Sequence, residues 1–321
     1  MIVTISMIGG LLALALLAFL YWFYVPALEA PALSASIQKH IITWDNYERT
    51  FLSYVPKSIT KNSKPALIIV LHGSGIDGDR IRQWTGYEFD QMADKHNFIV
   101  LYPDGYKNNW NDCRKIAPYP AKKQNIDDVG FINSLINKYE LDYGVDPHQV
   151  FAFGYSNGGA MAYRIAIERP QLLNAVTAIG ATLPTPDNFN CKIDNLSTRI
   201  MMVSGTKDPI IPYNGGKIFF FGQNMGKALS AIATAEIFAH SSHAVEIRDT
   251  VRLPHKHRAD HTSVDKKSWV HEGITRVELY TVNGGGHVVP QPAAKFPRFM
   301  GSITGDLDAP RAAVRFFKLN Q

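Results

Sequence analysis

Apolar residues fall along this chain in short runs, punctuated by glycine, proline and polar turns. Continuous runs at Ala66–Leu71, Phe98–Tyr102, Val150–Phe153, Ala175–Ile179 and Arg199–Val203 predict strands buried on both faces. Between them, Asp127–Leu141 places Val129, Ile132, Leu135, Ile136 and Tyr139 at helical spacing. Phe89–His96, Leu229–His240 and Ala312–Leu319 read as further helices, and Thr275–Val282 alternates as a strand. Ile37–Val55 reads as two antiparallel strands around the turn Asp45-Asn46. Strands alternate with helices, so the predicted class is α/β, a mainly parallel sheet with helices on both faces. No internal repeat or low-complexity tract interrupts the pattern.

The N-terminus breaks this rhythm. From Met1 to Pro26 there is no charged side chain, and Met7–Val25 is 19 residues of almost wholly apolar character. That length suffices for a membrane-crossing helix. Tyr21, Trp22, Phe23 and Tyr24 cluster at its end, as in an interfacial aromatic belt. A cleaved signal peptide is the competing reading, weakened by the lack of Lys or Arg before the run and of a clear cleavage site. A buried helix of the fold is the third. The expected organisation is a membrane anchor or signal segment over 1–26, a linker over 27–36 and one catalytic domain over 37–321. An exported protein is expected, membrane-anchored or, after cleavage, secreted or periplasmic.

Composition adds limits. The 321 residues are 46% hydrophobic and carry a net charge of +5, which suits a globular domain with a large core. Nucleic-acid binding needs basic residues gathered on one face, and no nucleic-acid partner is expected. The one basic cluster, Arg252 to Lys267, reads as a solvated loop, and its histidines match no metal-ligand spacing. Cys113 and Cys191 are the only cysteines. Both a disulfide, given export, and a pair of buried thiols stay open.

The chemistry is carried by Gly154-Tyr155-Ser156-Asn157-Gly158. A strand precedes this G-x-S-x-G and a helix follows it, the context of a nucleophile elbow. A serine hydroxyl needs a base to take its proton, and the base needs an orienting acid. In α/β-hydrolases these follow in the order Ser, Asp or Glu, His. Asp208 lies just past the Met201–Ser204 strand, whereas Asp187 and Asp194 precede it. His287 follows three glycines after a late strand, so the backbone can bend to return its imidazole to the serine. Two oxyanion donors complete the set: the N–H of Asn157, after the nucleophile, and that of Ser74, in the loop after the Ala66–Leu71 strand.

Seven motifs in order, Leu71–Gly75, Tyr102–Gly105, Asn109–Asp112, Asp127–Phe131, Gly154–Met161, Gly205–Tyr213 and Gly284–Pro290, resemble the polyhydroxybutyrate depolymerase and feruloyl esterase family. The resemblance runs from about Lys39 to Lys318. It implies an α/β-hydrolase fold and cleavage of carboxylic esters with no cofactor and no metal. By position it implies a triad of Ser156, Asp208 and His287, and a Trp110 near the substrate. Two positions depart from the family: Ser74 stands where many relatives carry cysteine, and Val289 where an aromatic is frequent. Polyesters and aromatic or acetyl sugar esters are the expected substrates. An acyltransferase or peptidase on the same triad, or a non-catalytic anchored binding protein, are the alternatives.

Overall fold

A computed structural model describes residues 14, 16–60, 62–244, 246–256 and 261–319. Asp45 and Asn46 take φ of 49° and 63°, the twist that closes a two-residue hairpin, and they join β1 (Gln38–Trp44) to β2 (Tyr47–Tyr54). The apolar runs become β3 (Ala66–Leu71), β4 (Phe98–Pro103), β5 (Val150–Tyr155), β6 (Ala175–Ile179) and β7 (Arg199–Gly205), each buried along its whole length. The later strands are β8 (Gly216–Phe220), β9 (Gln223–Ala228), β10 (Glu246–Arg252), β11 (Ser263–His271) and β12 (Ile274–Asn283).

Ten strands form one sheet in the order β1-β2-β4-β3-β5-β6-β7-β12-β11-β10, with β8 and β9 a separate hairpin. The stretch from β4 to β12 is parallel; β1, β2, β10 and β11 add antiparallel edges. Side chains alternate between two cores. Leu67, Ile69 and Leu71 face α4 (Asp128–Tyr143), α5 (Asn157–Glu168) and α6 (Ala231–Ser241). Ile68 and Val70 face α1 (Gly78–Trp84), α2 (Glu88–Ala93) and α7 (Ala309–Phe317). The short α3 (Pro120–Lys123) lies outside these layers. This is the α/β-hydrolase architecture. Its parallel strands bring the loops after β3, β5, β7 and β12 to one edge of the sheet.

One expectation changes, that for the basic cluster. The loop read over Arg252–Lys267 is in part the end of β10 and the start of β11. Its charges are those of an edge hairpin, where cations discourage pairing with another sheet. Arg252 ion-pairs with Asp265, and Lys266 with Glu278 at 3.2 Å; residues 257–260 lie outside the described residues. Residues 27–36 are tied to the domain: the Ser34 N–H donates to Asp94 Oδ2 at 2.9 Å, and the Tyr87 hydroxyl to the Leu28 carbonyl at 3.3 Å. Of the expected anchor, residues 7–13 and 15 lie outside the described residues, and residues 16–23 are helical. Among the described residues no helix is long and apolar enough to cross a membrane.

Candidate active site

Ser156 sits between β5 and α5 with φ 54° and ψ −117°, a backbone conformation that few L residues adopt. Sequence and packing force it there. A Cβ on Gly154 would stand 2.3 Å from the Gly158 carbonyl oxygen, and one on Gly158 would stand 2.2 Å from that of Leu71. Only glycine at both positions lets α5 start this close to the sheet. The Ser156 N–H donates to the Ile179 carbonyl at 2.8 Å, anchoring the turn on β6.

Asp208 and His287 meet at the same edge. His287 Nδ1 lies 2.7 Å from Asp208 Oδ2, and both side chains are buried. The other carboxylate oxygen accepts the Ile210 and Ile211 N–H groups, each at 2.8 Å. The His287 backbone is held from two sides: its N–H donates to the Met300 carbonyl at 2.6 Å, and its carbonyl accepts the Tyr155 hydroxyl at 2.8 Å. His287, Ser156 and Ser74 line one cavity of about 310 Å³, whose walls are otherwise mostly apolar. A much smaller cleft of about 20 Å³ adjoins it, sharing Ser156, Arg114 and Ile211 and reaching Thr182 and Leu183.

Asn157 begins α5, so its N–H has no partner within the helix. Its side chain accepts the Trp110 N–H at 2.7 Å and donates to Asp112 Oδ2 at 2.7 Å. Burial by itself would raise the Asp112 carboxyl, but the Arg114 guanidinium and the hydrogen bonds it accepts outweigh this and hold it below the usual carboxylate range. Ser74 is placed by its neighbours. Burial pushes His72 below the ordinary histidine range, and its Nε2 accepts the Gly105 N–H at 2.8 Å. That leaves the proton on Nδ1, which donates to the Gly73 carbonyl at 2.7 Å. The Ser74 hydroxyl donates to the Tyr119 hydroxyl at 2.9 Å.

Trp110 is the residue placed differently from expectation. It is fully buried, its Nε1–H donates to the His72 carbonyl at 2.9 Å, and it lines neither cavity. It stands behind the loop that carries Ser74, as a support and not a substrate contact. Cys113 and Cys191 form a disulfide with Cα atoms 5.4 Å apart. Beside it the Lys115 N–H donates to the Asn188 carbonyl at 2.7 Å, so the bond joins two loops that already run together. His72, Asp112 and Arg114 escaped sequence reading as positioning groups. The available signal was a carboxylate and a guanidinium two residues apart, directly after the Trp110 motif.

Residues 57–252 match the phospholipase/carboxylesterase family. NocK of Nocardia uniformis subsp. tsuyamanensis, whose name is that of an esterase, is 26% identical over 258 residues, 78% of this chain and 73% of that protein. Feruloyl esterase C of Emericella nidulans is 27% identical over 174 residues, 52% of this chain. The chain spans 58% of that esterase's length. Among solved structures, an acetyl xylan esterase from Aspergillus awamori superposes with a TM-score of 0.59 at 16% identity, over 89% of this chain and all of that one. That likeness carries the fold.

Proposed function

The chain belongs to the phospholipase/carboxylesterase family, and from that premise we propose that it is a serine carboxylic-ester hydrolase working through Ser156, His287 and Asp208. His287 takes the Ser156 proton as the hydroxyl attacks the ester carbonyl, then passes it to the leaving alcohol. The Asp208 carboxylate fixes the Nδ1–H tautomer and offsets the imidazolium charge. The Ser74 and Asn157 N–H groups receive the oxyanion. Water enters through the same base to release the acyl group. The observation that carries this reading is the cavity shared by Ser156 and His287, with the His287–Asp208 hydrogen bond sealed behind it at 2.7 Å.

The two unequal spaces beside Ser156 support an ester with one bulky, apolar or aromatic half and one compact half. Aromatic acyl esters and acetyl esters of larger alcohols meet that description, in keeping with the feruloyl and acetyl xylan esterases among the similar proteins. Hydroxybutyrate oligomers remain within the proposal. The disulfide supports an oxidising, exported location. A fluorophosphonate probe should label Ser156, and the chain should hydrolyse nitrophenyl acetate. Undiminished labelling of Ser156→Ala would refute the nucleophile.

A further inference from the structure

The mouth of the large cavity is an exposed apolar surface built from three separate segments. Phe299, on the cavity wall, packs at a tilt against Phe23 of the N-terminal helical stretch with ring centroids 5.0 Å apart. On its other side lies Phe221, at the tip of the β8–β9 hairpin, with centroids 6.0 Å apart. Phe221 is 71% exposed although it also lines the cavity. Phe219 on the same hairpin and Phe19, Tyr21, Trp22 and Tyr24 on the N-terminal stretch are exposed beside it. Soluble surfaces seldom gather so many large apolar side chains in one place.

Charge on these segments is one-sided. Residues 16–28, 209–228 and 288–304, which carry the apolar rim, contain Lys217, Lys227, Lys295 and Arg298 and no carboxylate; the exposed Glu29, Asp77 and Asp79 lie just beyond them. All four cations are exposed, and the Arg298 guanidinium sits 4.2 Å over the Tyr21 ring. An apolar rim, a Trp/Tyr girdle and cations without acids together match the boundary of an anionic bilayer, where rings sit at headgroup level and Lys and Arg meet phosphate. The described part of this stretch, residues 16–26, carries no charged side chain, which suits lipid better than the mixed polar rim of a protein interface.

We infer that this rim docks on an anionic lipid bilayer and that the enzyme draws its ester from the lipid phase. The inference rests on the esterase reading above. An amphiphilic ester would slide its apolar half past Phe221 and Phe299 into the cavity and present its carbonyl to Ser156 without crossing water. Ester cleavage balances as in any hydrolysis: the acyl–oxygen bond breaks, and water supplies hydroxyl to the acid and a proton to the alcohol.

The test uses the full chain with vesicles of phosphatidylcholine and a minority of phosphatidylglycerol. Hexadecyl acetate and methyl hexadecanoate, which place the long chain on opposite sides of the ester, are dissolved in the vesicles, and proton release is followed. Nitrophenyl acetate in solution is the control. Trp22→Glu and Phe219→Glu lie on different segments and line neither cavity. Each should lower hydrolysis of the vesicle-borne ester about tenfold or more, as expected for keeping one large side chain out of lipid. Each should leave the soluble ester within about twofold of wild type, a change too small to signal lost transition-state binding. Equal rates for variants and wild type on the vesicle-borne ester would overturn the inference. So would vesicle binding that is indifferent to phosphatidylglycerol, or a mature protein that begins near residue 30. A wild-type chain that cleaves nitrophenyl acetate but neither lipid ester would overturn this inference alone; one that cleaves none of the three would overturn the esterase reading.

Discussion

Asn157 and Asp112 are joined by a 2.7 Å hydrogen bond across the start of α5, and the same Asn157 side chain accepts the Trp110 N–H at 2.7 Å. The amide that is proposed to bind the oxyanion thus belongs to a residue clamped from the side by a buried carboxylate. Arg114 neutralises that carboxylate through a bidentate ion pair. Asp112 reaches the oxyanion through Asn157, which makes it a positioning residue, although it also borders the smaller cleft.

Asp112→Asn keeps the shape but removes the charge that holds Arg114. The Asn157 amide should lose its fixed direction, and kcat should fall by up to about 10², below the cost of losing an oxyanion donor outright. KM should change little, because the interaction is made mainly in the transition state. Steady-state kinetics with nitrophenyl acetate checks this. A variant with a lowered melting temperature but wild-type kcat would reduce Asp112 to a structural role.

Ser156 carries backbone strain, with φ 54° and ψ −117°. Ser156→Gly should therefore raise stability by about 1 kcal/mol, the usual cost of such a conformation in a residue with a Cβ. Ser156→Ala should keep the strain and the melting temperature. Both should lose on the order of 10⁶ in kcat, since triad members act as a unit. Denaturant melts of the three proteins decide it. A glycine variant no more stable than the alanine variant would mean the turn is not strained.

The buried strands were legible because β3 to β7 are apolar on both faces and so appear as unbroken runs. The elbow, Asp208 and His287 were legible because glycines mark where backbone must crowd or bend. The β8–β9 hairpin was not: only Ile218, Met225 and Ala228 of its two short strands reach the core, among glycines and the exposed Lys217 and Lys227, so its pattern resembles loop. The β10–β11 edge was hidden by its own charges. Trp110 was misread because an aromatic beside a site looks like a substrate contact. Its role depends on the fold, which turns its ring inward against His72 with centroids 5.1 Å apart.

The disulfide spans a sequence separation of 78 residues. In the chain-entropy picture a loop of that length is worth about 4–5 kcal/mol, offset by any residual order in the unfolded chain. The double variant Cys113→Ser/Cys191→Ser should lose a large part of that stability in denaturant melts. Its neighbour Arg114 should loosen with it, lowering kcat more than in a variant of equal stability loss elsewhere. Native protein should show no alkylatable thiol until it is reduced; two thiols in the untreated protein would refute the bond.

Asp208→Asn has a direction dictated by its hydrogen bonds. The Ile210 and Ile211 N–H groups demand an acceptor on one side. The asparagine oxygen will turn there, leaving its NH₂ facing His287. An NH₂ donor forces Nδ1 of His287 to accept, so the proton moves to Nε2, the atom that must receive the serine proton. The base is then blocked while the fold is kept. The fall in kcat should be on the order of 10³–10⁴. Retention of near wild-type rate would place the acid elsewhere, with Asp187 and Asp194 to be replaced next.

Glu88 gives the protein a pH signature separate from catalysis. It opens α2 beneath α7, and burial, followed by the nearby Asp308 carboxylate, raises it from its ordinary 4.5 to about 8. Arg311 Nε lies 3.1 Å from Glu88 Oε2 and opposes the rise, but burial and the Asp308 carboxylate outweigh it. A carboxyl raised on folding binds its proton more tightly in the folded chain. Its contribution to stability is complete below pH 4.5 and is lost progressively as pH rises to about 8. Glu88→Gln keeps the size and stays neutral, so it lacks this loss. The difference in melting temperature, Glu88→Gln minus wild type, should be flat in acid and climb between pH 4.5 and 8, with the variant the more stable at the alkaline end. Taking the difference cancels the titrating groups that do not interact with Glu88, which leaves Glu88 and its neighbour Asp308 as the source of the signal. Parallel melting curves across that window would mean that Glu88 ionises in the folded protein as it does in the unfolded one.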